Sequence, residues 1–105
     1  MMTTFDDREN AFENKFAHDQ EMQFRAEARR NKLMGLWVAD ILGKSAAEAA
    51  EYAKEVVKAD FEEAGHEDVM RKVLGDLDGR VAEAEVRKKY DELLAVAKGQ
   101  LMDET

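Results

Sequence analysis

The side chains that could do chemistry in this sequence are few and poorly arranged for it. Its 105 residues include two histidines, His18 and His66, one serine, Ser45, and no cysteine. Glu63-Ala64-Gly65-His66 has the Glu-x-x-His spacing of carboxylate-bridged di-metal bundles, in which both ligands project from one helix face. Such a site needs a second pair and further inward glutamates, and Gly65 breaks the helix between the members of this pair. His18 precedes Asp19 and Glu21 but has no second histidine near it. Solvated or capping roles are the simpler account of both. Ser45 is taken up as a helix cap, and no thiol can replace it as a nucleophile. The six glycines form neither a G-x-G-x-x-G nor a Walker A pattern, which excludes a conventional phosphate loop. Carboxylates abound, yet nothing in their spacing makes two of them share a dry cleft with divergent pKa values. These residues point away from an enzyme, and they call for no metal and no cofactor.

Composition narrows the other classes. With 24 acidic and 16 basic side chains the net charge is −8, which argues against nucleic acid, since phosphate binding needs clustered lysine and arginine. The absence of cysteine excludes a disulfide framework, a zinc-thiolate site and an iron–sulfur cluster. The absence of proline removes the usual helix breakers. The opening Met1-Met2-Thr3-Thr4-Phe5-Asp6-Asp7 has no basic region and no apolar run. The longest apolar stretch, 33–42, is too short for a bilayer and contains Asp40. The expectation is an acidic cytoplasmic protein, monomeric when free, without direct membrane insertion.

The elements that must position any site are all helical. Thr4-Phe5-Asp6-Asp7 has the Ser/Thr-x-x-Asp/Glu form of a helix start, and no strong breaker follows until Gly43. Gly35 lies inside this stretch and costs roughly 1 kcal/mol relative to alanine. A helix of up to about 38 residues is far longer than the usual 11 or 12, so its first half is either partner-dependent or projects from the domain. Ser45-Ala46-Ala47-Glu48 is a capping box opening a second helix, with Ala49, Ala50, Ala53, Val56, Val57 and Phe61 on one face and Gly65 at its end. A third helix spans about 67–77, with Val69, Met70, Val73 and Leu74 inward, and Gly75-Asp76-Leu77-Asp78-Gly79 supplies the break after it. The last, about 81–102, carries Val86, Tyr90, Leu93, Leu94, Ala97 and Leu101 as a stripe. Period-two alternation is absent. The fold class is an all-α, small four-helix bundle, with residues 20–105 forming the bundle and 1–19 a mobile arm that extends the first helix.

The two ends of the long first segment differ. Leu33, Met34, Leu36, Trp37, Val38, Ile41 and Leu42 are apolar nearly all round, the mark of a central helix, and Trp37 and the methionines read as core rather than cofactor contacts. Before Asn31 the chain is polar and densely charged. Phe5, Phe12 and Phe16 fall within about 40° of one another on a helical projection, with Phe24 about 80° from Phe16. This segment has too little apolar surface to offset its own ordering entropy. Its phenylalanines serve either as anchors of a helix-in-groove ligand or as contacts packed back onto the bundle, and periodicity does not choose between them. The basic run Arg25, Arg29, Arg30 and Lys32 is likewise open to two readings. Glu21, Arg25 and Arg29 at successive i+4 steps make a charge-laced solvated face, whereas a hinge patch would meet an acidic partner or anchor the arm.

At these residues the sequence resembles a known family. Phe16-Ala17-His18-Asp19 and the run Phe24-Arg25-Ala26-Glu27-Ala28-Arg29-Arg30-Asn31-Lys32-Leu33-Met34-Gly35-Leu36-Trp37 resemble the zeta subunit of bacterial F-type ATP synthases, a small inhibitor protein. Thr3-Thr4-Phe5-Asp6-Asp7-Arg8-Glu9, Val56-Val57-Lys58-Ala59-Asp60-Phe61-Glu62-Glu63, Gly65-His66-Glu67-Asp68-Val69 and Asp91-Glu92-Leu93-Leu94-Ala95-Val96-Ala97-Lys98 agree as well. The resemblance implies a four-helix bundle whose mobile N-terminal segment becomes helical between catalytic and non-catalytic subunits, near the central rotor. There it blocks rotation in the hydrolytic direction, and the protein is held at the inner membrane only through the synthase. Carried onto this sequence, Phe5, Phe12 and Phe16 would be the anchors, and Asp6, Asp7, Arg8, Glu9 and Glu13 the polar contacts. Arg25, Arg29 and Arg30 are candidates for a secondary contact. Adenine nucleotide binding has been considered for the family, and no motif here supports it independently. Against this reading stand a generic acidic adaptor bundle using the Trp37 region or the arginines, and a metal-dependent bundle enzyme.

Overall fold

A computed structural model of the chain describes residues 20–60 and 67–104. Four helices make up nearly all of it: α1 Gln20–Ile41, α2 Ala46–Ala59, α3 Glu67–Leu77 and α4 Glu83–Glu104. No strand occurs among the described residues. Residues 4–19, where the first helix is expected to begin, and the expected helix end at Gly65 lie outside them.

Local chemistry accounts for the helix boundaries. At the end of α1 the Gly43 amide donates to Asp40 O at 3.1 Å and the Lys44 amide to Ala39 O at 3.0 Å, with Gly43 at φ +72°. This double bond pattern satisfies two last-turn carbonyls and needs a left-handed residue, which glycine adopts without strain. The capping box of α2 is formed as expected. The Glu48 amide donates to Ser45 Oγ at 3.2 Å, and the Ser45 amide donates to Glu48 Oε1 at 2.9 Å. The Ser45 amide, with the Ser45 hydroxyl adding to it, holds the Glu48 carboxyl below its ordinary pKa.

The break after α3 is later than the glycine pattern suggests. Gly75 and Asp76 stay helical, and the chain turns at Asp78 and Gly79, with φ of 48° and 82°. Arg80 and Val81 redirect it before Ala82 O accepts from the Glu85 and Val86 amides, so α4 opens at Glu83 rather than Val81.

As its apolar wrap implies, α1 is the central helix and touches the other three, while α3 bridges α2 and α4. Every fourth residue of α1 from Met22 is buried: Met22, Ala26, Arg30, Met34 and Val38. The main core joins Met34 and Val38 to Tyr52, Val56, Val69, Val73, Leu77, Val86 and Tyr90, with Trp37 half-buried at its edge. A separate small cluster of Met22, Ala26 and Leu101 closes the other end of the bundle. Helices α1 and α2 meet at Gly35, where a Cβ would lie 2.6 Å from Ala53 Cα. Only a glycine permits that approach.

The inward face of α2 is rolled relative to the expected one. Tyr52 and Ala59 are buried beside Ala53 and Val56, whereas Ala50 is exposed and Val57 half-buried. The roll carries Tyr52 across to α3, where its hydroxyl donates to Asp76 Oδ2 at 2.7 Å. Leu74 and Leu93 are half-buried at the core's margin.

Candidate functional site

Of the residues that sequence reasoning singled out for partner binding, Phe5, Asp6, Asp7, Arg8, Glu9, Phe12, Glu13 and Phe16 lie outside the described residues, as do His18, Glu63 and His66. Arg25, Arg29 and Arg30 are described, and they do not form one surface patch. Successive helix residues point about 100° apart, so neighbours in sequence part company in space.

Arg25 is the solvent-facing member. Its Nη2 donates to Glu21 Oε1 at 2.8 Å, both side chains being more than half exposed. Arg29 turns toward the end of α4. It is paired with the Glu104 carboxylate through both amino groups, Nη2 to Oε2 at 3.0 Å, and its Nη1 also donates to Gln100 Oε1 at 3.4 Å. That guanidinium holds the Glu104 carboxyl below its ordinary pKa.

Arg30 is in the core, 3% exposed, which corrects its placement with the surface arginines. It occupies the buried i+4 row of α1 between Ala26 and Met34, and its guanidinium carbon lies 4.0 Å from the centre of the Tyr90 ring. A desolvated guanidinium over a ring face gains about 2 kcal/mol from the ring quadrupole.

Beside it the buried Asn31 amide links three elements. Its Oδ1 accepts from Arg30 Nε and from the Tyr90 hydroxyl, each at 3.3 Å, and its Nδ2 donates to Asp60 Oδ2 at 3.0 Å, where α2 ends. Burial pushes the Tyr90 hydroxyl well above its ordinary pKa, although Arg30 pulls it down. A satisfied polar network of this kind fixes the relative placement of α1, α2 and α4. Neither Arg30 nor Asn31 was assigned this part from sequence. The signal available was the i+4 row Met22–Ala26–Arg30–Met34–Val38, whose other members are apolar.

An open furrow runs along the outer side of α1. A cavity of about 470 Å³ lies over Leu36, Ala53 and Val57, bordered by Lys32, Lys54 and Lys58. A second, of about 410 Å³, continues toward Phe24, Ala28 and Leu101 and shares Lys32 and Val57 with the first. Phe24 is 52% exposed, the largest such apolar side chain among the described residues.

Ser45 Oγ is spent on its cap, and both tyrosine hydroxyls are held neutral at ordinary pH. Among the described residues no three of His, Cys, Asp and Glu gather as a metal set, and no helix is long and apolar enough to cross a membrane. What the arrangement offers is surface for binding.

A protein solved by solution NMR is 80% identical, the match covering 80% of this chain and 99% of that one with a TM-score of 0.76. No curated protein matches the chain. A family model described as ATPase inhibitor subunit zeta matches residues 2–100.

Proposed function

Since the chain belongs to the ATPase inhibitor subunit zeta family, we propose that it inhibits ATP hydrolysis by an F-type ATP synthase through its N-terminal segment. The observation that carries this reading is the family match across 2–100, which takes in the whole Phe5–Phe16 stripe. In this account residues 1–19 enter as a helix between catalytic and non-catalytic subunits beside the central rotor. Phe5, Phe12 and Phe16 fill the groove. Asp6, Asp7, Arg8, Glu9 and Glu13 make the polar contacts.

Inhibition of this kind is binding, not catalysis, and needs no cofactor. The segment must bind one rotational state more tightly than its neighbours, and about 2.8 kcal/mol of differential affinity gives a hundredfold preference. Burying a phenylalanine is worth roughly 1.5–3 kcal/mol, so three suffice even after the ordering cost of a segment that folds on binding. The bundle is the bulky stop that keeps the segment in register. Of the three arginines Arg25 suits a secondary contact, because Arg29 and Arg30 are engaged within the bundle. Contact with the membrane is through the synthase.

The test is deletion of residues 1–16, alongside the full-length variant with Phe5, Phe12 and Phe16 all changed to alanine. Both are expected to lose inhibition of ATP hydrolysis by the purified synthase while the bundle's melting temperature holds. Full inhibition by either would overturn the assignment of the segment.

A further inference from the structure

We propose that the furrow along α1 is a docking surface for the chain's own N-terminal segment, residues 5–16. Its floor is apolar, from Ala28 through Val57 to Leu36. Its border is basic in a chain whose net charge is −8. Lys32 and Lys58 have no ion-pair partner among the described residues, and the carboxylate at the far end, Glu104, is neutralised by Arg29. The first 19 residues have the complementary character. They carry Asp6, Asp7, Glu9, Glu13 and Asp19 against Arg8 and Lys15, together with the three aligned phenylalanines.

Reach and register agree. The segment joins α1 at Gln20, and α1 rises about 1.5 Å per residue, so Gln20 to Asn31, the stretch that carries Phe24 and Ala28, spans about 16 Å. A helix over 5–16 covers about 16 Å by the same measure. Turning back over 17–19, a connection within the usual two to five residues of a helical hairpin, it sets Phe12 level with Phe24 and Phe5 level with Asn31, next to Lys32. There the two cavities join. The acidic run Asp6, Asp7 and Glu9 then lies level with 27–30, the α1 stretch that carries Arg29 and ends about 3 Å short of Lys32. Docking itself does not depend on the inhibitory assignment. Its consequence does: if the segment is the inhibitor, furrow and synthase compete for it, and the furrow lowers the inhibitor's apparent affinity by the fraction of time it is docked.

A single nitroxide tests this on the full chain. The sequence has no cysteine, so Asn10→Cys, about 160° from Phe12 on a helical projection, labels uniquely. The label is expected to broaden the backbone amide signals of 28–36 and 50–58 to less than half their intensity, while those of α3 around Val73 keep theirs. Changing Lys32, Lys54 and Lys58 together to glutamate is expected to restore the signals, as is high salt, which screens exposed charges. Unchanged furrow signals in the labelled wild-type background would overturn the proposal. So would broadening in a mixture of labelled and isotope-enriched unlabelled chains, which would give the furrow to a second copy. No synthase is present in these measurements, so their outcome is separate from that of the inhibition assay.

Discussion

Arg30 and Tyr90 stack in the interior, the guanidinium carbon 4.0 Å from the ring centre, with Asn31 Oδ1 accepting a hydrogen bond from each of them. The contact joins α1 to α4 at the point where the basic run enters the bundle. Arg30 is therefore a structural residue, and the variant to make is Arg30→Lys. Lysine keeps the charge but loses the planar stack and the Nε bond to Asn31. Chemical denaturation is expected to show a loss of about 1–2 kcal/mol with an unchanged slope. Stability equal to wild type would mean that the stack contributes nothing.

Two glycines in helices should respond in opposite directions to the same change. Gly35→Ala puts a methyl group where Ala53 Cα is 2.6 Å away, and a backbone atom cannot swing aside. The helices must part, and the expected cost is about 1–3 kcal/mol despite alanine's better helix propensity. Gly75 in α3 has nothing within 4 Å of such a group, so Gly75→Ala is expected to stabilise by about 0.5–1 kcal/mol. Thermal melting of the pair decides it. If both stabilise, the close approach of α1 and α2 is not as tight as described.

Alkaline pH should unfold the bundle through its two tyrosines. Burial is the leading reason that the Tyr52 and Tyr90 hydroxyls are pushed above the ordinary value of 10.0, with Asp76 adding to the effect at Tyr52. The folded state holds these protons more tightly than the unfolded chain does. Their stabilisation is thus complete below the unfolded pKa and drains away as pH rises past it. Tyrosinate absorbance is expected to grow together with loss of helical circular dichroism. Tyrosinate appearing near pH 10 with the helices intact would contradict the burial of both rings.

The parts of the fold legible in the sequence are those set by local chemistry. Ser45 and Glu48 cap each other within one turn, Gly43 supplies the only easy left-handed residue at the end of α1, and α3 runs over 67–77 as its period suggests. Where the outcome depends on distant neighbours, local pattern fails. Tyr52 is drawn inward by Asp76 on another helix, which rolls α2 away from the face its alanines define. Arg30 looks like part of a basic surface by adjacency, yet Tyr90, 60 positions later, provides its partner. The furrow was not legible either, because it depends on how closely Gly35 lets α2 approach.

The separate cluster of Met22, Ala26 and Leu101 has a mechanical meaning. A pull applied at residue 20 is met first by two turns of α1, held to the last turns of α4 by that small cluster and by Arg29 on Glu104. Those turns can peel as a local unit while Met34, Val38 and Val73 stay packed, since opening them exposes little of the main core. The tether of the N-terminal segment thus yields in stages. A pull on it opens the edge of the molecule first and leaves the main core packed.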